Sequence, residues 1–167
     1  MVERVENLVT INGVVNGAFM PASKNRLLTD VVLQEGFHIR GGLYANNLTI
    51  EGPGTVEGPV MAKRDIIIHP PEKGDKRISL RCGLSARLAI ATQVPDTVEK
   101  SPVQTKGFLP FFVRGDVISE SVSLENAVVI GNVYARNAVV KDSIVVGCLL
   151  TEDRLVMRNS MAISFRA

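Results

Sequence analysis

Gly115, Gly131 and Gly147 are evenly spaced along the chain, and the residues that follow them agree column by column. The aligned segments read GDVISESVSLENAVVI, GNVYARNAVVKDSIVV and GCLLTEDRLVMRNSMA. Two places after each glycine come Val117, Val133 and Leu149; four places after come the small residues Ser119, Ala135 and Thr151. The ninth column holds Leu124, Val140 and Val156, and the fourteenth Val129, Val145 and Met161. The seventh holds Val122, Ala138 and Arg154, and the twelfth Ala127, Ser143 and Asn159. Inward places therefore pair at offsets two and four, seven and nine, twelve and fourteen. Each pair is a short strand with alternating faces. Three such strands make one coil that cannot bury its apolar face alone. Stacking places like residues over like and pairs each strand in parallel with its copy in the next coil.

Degraded copies precede this region. Gly58 opens GPVMAKRDIIIH, with Val60, Ala62 and Ile67 in the inward places; Gly41 opens GGLYANNLTIEG, with Leu43, Ala45, Leu48 and Ile50 there. The segment from Arg77 to Ala91 is a further coil of unassigned register, and Leu8 to Phe19 is the first. The expected fold is an all-β, single-stranded parallel β-helix of about 16–17 residues per coil and six or seven coils, roughly 30 Å long at the spacing of neighbouring strands. Right-handed winding is expected, as for parallel crossovers generally. One domain, 1–167, accounts for the chain, with an irregular N-terminal segment (1–40) and an inserted loop (93–114). Pro21 to Asp30 reads as a loop or a short helix capped by Ser23, and His69 to Lys76 as a polar loop.

Composition agrees. Hydrophobic residues make up 46% of the chain but aromatics only 5%, so Val, Ile, Leu and Ala carry the core, as stacked β-structure requires. The net charge of +2 is too balanced to argue for nucleic acid. No apolar run is long enough for a transmembrane helix, and no secretory h-region follows Met1; a cytoplasmic protein is expected, with peripheral membrane contact left open. Cys82 and Cys148 form no metal or redox spacing and read as small core residues.

Two features single out an interaction surface. The inserted loop gathers Phe108, Phe111 and Phe112, and the outward column of the repeat stacks Ile118, Tyr134 and Leu150. Such an apolar ladder is normally covered, either by the Phe-rich loop or by another copy of the chain. These six residues are the candidate interface.

The strings VEGPVMAKRDIII (Val56 to Ile68) and IGNVYARNAVV (Ile130 to Val140) resemble the repeating unit of bactofilins, the polymer-forming β-helix cytoskeletal proteins. The shared pattern is Gly, a polar residue, Val, any residue, Ala, charged residues, then an aliphatic pair. The resemblance spans Gly41 to Ala91 and Arg114 to Phe165; the Phe/Pro loop and the segment 1–40 depart from it. It implies a right-handed β-helix, no cofactor, and filaments built by contact between terminal coils.

Catalytic chemistry is sparse. His38 and His69 are the only histidines, too few for a three-histidine metal site. GPGTVEG (Gly52 to Gly58) lacks phosphate-loop spacing and reads as corner turns. The sequon at Asn47 matters only in a secreted protein, and in the Arg114-Gly115-Asp116 tripeptide Gly115 is already explained as a coil corner. The favoured function is a self-associating structural scaffold with no catalytic, cofactor or metal residues assigned. Two rivals are carried: an acyltransferase-like oligomeric enzyme using His38 or His69 between subunits, and a small-ligand-binding module.

Overall fold

The computed structural model describes residues 1–22, 28–71, 76–93 and 110–166. Among these there is no helix; the strands form one 19-stranded, mostly parallel sheet. In chain order they are β1 (Val2–Val5), β2 (Leu8–Ile11), β3 (Val14–Val15), β4 (Asp30–Leu33), β5 (Phe37–Ile39), β6 (Leu43–Ala45), β7 (Leu48–Ile50), β8 (Gly54–Val56), β9 (Val60–Ala62) and β10 (Asp65–Ile68). There follow β11 (Ile78–Leu80), β12 (Leu84–Ala86), β13 (Ala89–Thr92), β14 (Phe111–Arg114), β15 (Val117–Glu125), β16 (Ala127–Ile130), β17 (Val133–Lys141), β18 (Ile144–Arg158) and β19 (Met161–Arg166).

The parallel pairings sort into three ladders. Ladder one runs β2, β4, β7, β10 and β13, then through the second halves of β15, β17 and β18. Ladder two runs β3, β5, β8, β11, β14 and β16, then the start of β18 and the start of β19. Ladder three begins with a bridge from Phe19 to Leu43 and continues through β6, β9 and β12, the first halves of β15 and β17, the middle of β18 and the end of β19. The chain visits the ladders in the order one, two, three and returns to one. The register of the Arg77–Ala91 segment, unassigned from sequence, is fixed by Leu84 beside Val117, Ile90 beside Val122 and Ile78 beside Phe111.

Alternation decides what is buried. Ladder three stacks Leu43, Val60, Leu84, Val117, Val133 and Leu149, all at most 2% exposed. Burying each such side chain contributes about 1.5–3 kcal/mol relative to exposure. In ladder two large residues face small ones. The Phe37 ring lies where a side chain on Gly54 would project, and Phe111 is flanked by Ala127. Around Ile66 the inward pair is Ile66 and Ile68, both fully buried, with Ile67 outward. This corrects the sequence assignment of Ile67 to the core: Ile66 aligns with Leu48 and Ile68 with Ile50, so the inward pair falls one place later than the Gly58 offset suggests.

The turns repeat too. Asn126, Asp142 and Asn159 all adopt positive φ, between 47° and 55°, at the corner from ladder one to ladder two. Asn and Asp tolerate this left-handed conformation better than other side chains. At the next corner the backbones approach closely: a Cβ on Gly115 would lie 2.6 Å from the Gly83 nitrogen. Glycine is required there by proximity as well as by its φ of 113°.

The third repeat is not gap-free. Ala135 pairs with Thr151, but Asn137 pairs with Arg154, so β18 holds one extra residue between them. The bulge places Leu155 beside Ala138 and Met157 beside Val140, packed against the core. The glycine spacing alone assigns Arg154 and Val156 to those inward places, and the bulge corrects both. Without it a guanidinium would be buried unpaired, at a cost of several kcal/mol. The same shift pairs Met161 with Ile144 and Ala162 with Val145, so Ala162 rather than Met161 faces inward.

The ends of the ladders differ. β1 pairs antiparallel with β2, covering the outer edge of ladder one, and Asn12 donates its N–H to the Met1 carbonyl. At the other end β19 has a strand neighbour on one side only among the described residues.

Candidate interaction surfaces

The six candidate residues do not converge on one surface. Phe108 lies outside the described residues. Phe111 is fully buried in ladder two, so its placement in an interface is corrected: it follows Ile78 in the inward column. Phe112 points outward from ladder two, half-buried. Ile118, Tyr134 and Leu150 stack as expected on the outer side of ladder three.

That stack forms one wall of a groove of about 600 Å³. Its other wall is Glu120, Arg136 and Glu152, and its floor is the small-residue column Ser119, Ala135 and Thr151. Arg136 is shared among Glu120 at 3.3 Å and Glu152 and Asp153 at 3.6 Å. These ions are all at least half exposed, so each pair contributes at most about 1 kcal/mol. The Ser119 hydroxyl is the one buried side-chain polar atom among the described residues without a hydrogen-bond partner. The groove offers an apolar wall and a paired-charge wall, a binding surface whose lining residues include no nucleophile–base pair.

Ladder two carries a second outer face, built from two outward columns. One column reads His38, Thr55, Ser79, Phe112, Val128, Ile144 and Met161. The other reads Arg40, Glu57, Arg81, Arg114, Ile130 and Val146, and Ile163 follows Ala162 as Val146 follows Val145. The first half of this face is polar and basic. The second half is apolar, with Ile130, Ile144 and Val146 about 40% exposed and Met161 and Ile163 more so. Val128 and Ile144 fall between the inward twelfth and fourteenth columns and are therefore legible as outward; Ile130, Val146 and Ile163 are not, because they immediately precede or replace the corner glycines.

In the polar half, His38 Nε2 lies 2.9 Å from Glu57 Oε1, and Arg81 Nη1 lies 3.7 Å from the same oxygen. The hydrogen bond from His38, then the nearby positive charges, hold the Glu57 carboxyl below its ordinary value. Cys82 donates to the Glu57 carbonyl and is exposed, and Cys148 is half-buried beside Ser164. Both therefore depart from the expected core placement, because they sit at corners, where side chains turn away from the inward columns. His69 caps β10 through a backbone bond to Ile50 and lies far in sequence register from His38. No cluster of three metal-ligating side chains occurs among the described residues, and no described helix is long and apolar enough to cross a membrane.

The third surface is the β19 edge. Phe165 pairs with Leu149 and so continues the inward column Val117, Val133, Leu149, yet it is 66% exposed.

No family model matches the chain, and neither a curated protein nor a solved structure does.

Proposed function

We propose that this chain is a structural scaffold: a right-handed, single-stranded parallel β-helix of bactofilin type that associates with copies of itself through the β19 end. The three ladders, visited in a fixed cyclic order, support the winding. The hand follows from the preference of parallel crossovers. The observation that carries self-association is Phe165. It belongs to a column whose other members are buried, and it has an apolar side chain and, among the described residues, an unpaired strand edge to offer. An edge of this kind is a template for another chain.

Light scattering and electron microscopy of the full chain test the reading. Particles larger than the 18.1 kDa protomer are expected, with Phe165→Asp shifting them toward monomer while the far-ultraviolet spectrum is kept. A wild-type protein that stays monomeric at high concentration overturns it.

A further inference from the structure

The part of the apolar half of the ladder-two face carried by β16 and the start of β18 lies away from the Phe165 column and is not used by the proposed self-association. Its backbone groups are consumed by pairing between strands, so the face presents side chains alone. A flat apolar surface without orphaned backbone groups can enter the boundary between lipid headgroups and acyl chains. The same two columns lead directly into a basic stretch, in which Arg114 is the neighbour of Ile130 and is followed by Arg81, Glu57 and Arg40. The one acid in this stretch, Glu57, is already held by His38 and Arg81. Arg40 and Arg114 have no ion pair among the described residues. The Asp116 carboxylate at the adjoining corner accepts hydrogen bonds from Asn132.

We propose that this face rests on an anionic lipid bilayer, with Val128, Ile130, Ile144 and Val146 set into the headgroup boundary and Arg40 and Arg114 against the lipid anions. Charge complementarity selects this occupant. A second copy of the same face would cover the apolar half and leave the arginines without anions. A membrane supplies both, and it asks for no pocket. The contact is peripheral, and its strength depends on salt because the arginine contribution is screened.

The test is flotation of the full chain with vesicles of phosphatidylcholine containing about one-third phosphatidylglycerol, against vesicles of phosphatidylcholine alone. Flotation with the anionic vesicles, little with the neutral ones, and a decline with added salt are expected. The double variant Ile144→Thr, Val146→Thr keeps β-propensity and lowers the bound fraction at least about fivefold. Arg40→Gln with Arg114→Gln lowers it and flattens the salt dependence. Circular dichroism and light scattering of the variants stay as in wild type, which separates this face from the β19 edge: loss of self-association alone leaves flotation in place. Absence of flotation, equal flotation with neutral vesicles, or variants that float like wild type overturns the proposal. Binding of polyglutamate with no vesicle binding assigns the face to an acidic protein partner and overturns it equally.

Discussion

Ser119 shows how closely a single side chain is specified by its column. The column stacks Ala62, Ala86, Ser119 and Ala135 at the corner between ladders three and one, and all four are buried. Only small side chains fit, and sequence alone made that legible: the fourth place after each glycine is small in every repeat. What sequence could not show is that the hydroxyl finds no partner, because that depends on where neighbouring carbonyls point. A buried unpartnered hydroxyl carries a desolvation penalty of about 1–3 kcal/mol. Ser119→Ala is therefore expected to leave stability unchanged or raise it by up to about 1 kcal/mol, read from urea unfolding midpoints. A clear loss would mean the hydroxyl has a role that its surroundings do not reveal. Phe111 and Phe112 teach the complementary lesson. Adjacent strand residues face opposite ways, so a cluster of phenylalanines in sequence could not become one surface patch.

Among the elements, β18 departs furthest from the repeat. Counting glycines hides its bulge, because the extra residue before Arg154 is offset by one fewer near Ile163, and the spacing looks regular from corner to corner. The signal was present in the seventh column, where Arg154 stood under Val122 and Ala138. A charged residue in an apolar column marks a local shift, since one residue of slip exchanges the two faces of a strand. Removing Asp153 should regularise β18 while keeping Leu155 and Met157 inward, changing stability by less than about 1 kcal/mol, as for loss of an exposed ion pair. Removing Val139 from β17 should instead cost several kcal/mol, because Val140 turns outward and Lys141 inward. Urea unfolding of the two deletion variants separates these outcomes. A Val139 deletion as stable as wild type would contradict the register.

For the whole molecule, two of the three long interruptions leave the same corner; the third, between Phe19 and Asp30, leaves the corner from ladder three to ladder one. The chain passes from ladder one to ladder two after Ile68 and re-enters at Ile78, and again after Thr92 and re-enters at Phe111. Elsewhere this corner needs only Glu51 to Pro53, or Asn126 alone. Prolines and polar residues announced both insertions in the sequence, and the ladders close around them with Ile78 beside Phe111 and Ile66 beside Ile90. Lengthening or shortening a connection costs little loop entropy. Replacing residues 94–109 with a short Gly/Ser turn is thus expected to preserve cooperative unfolding and to shift the thermal midpoint by only a few degrees, about the effect of 1 kcal/mol in a chain of this size. Collapse of the fold would show that the insertion supports the ladders. The antiparallel pairing of β1 was the feature least legible from sequence, because the repeat predicts only parallel neighbours and Val2 to Val5 carries no copy of it.

That pairing makes the two edges of the sheet unlike. At the β1 end the edge of ladder one is already engaged by a strand of opposite sense, so an incoming copy cannot continue the parallel stack there. The β19 edge belongs to ladders two and three, which at the opposite end begin at β3 and the Phe19 bridge, neither of them covered by β1; copies joined there head to tail continue those two ladders, whereas a two-fold pair joins one β19 to the other. Continuation of ladder one alone requires that β1 be displaced. The few residues of β1 would in this way govern whether two ladders or all three run on from one copy into the next.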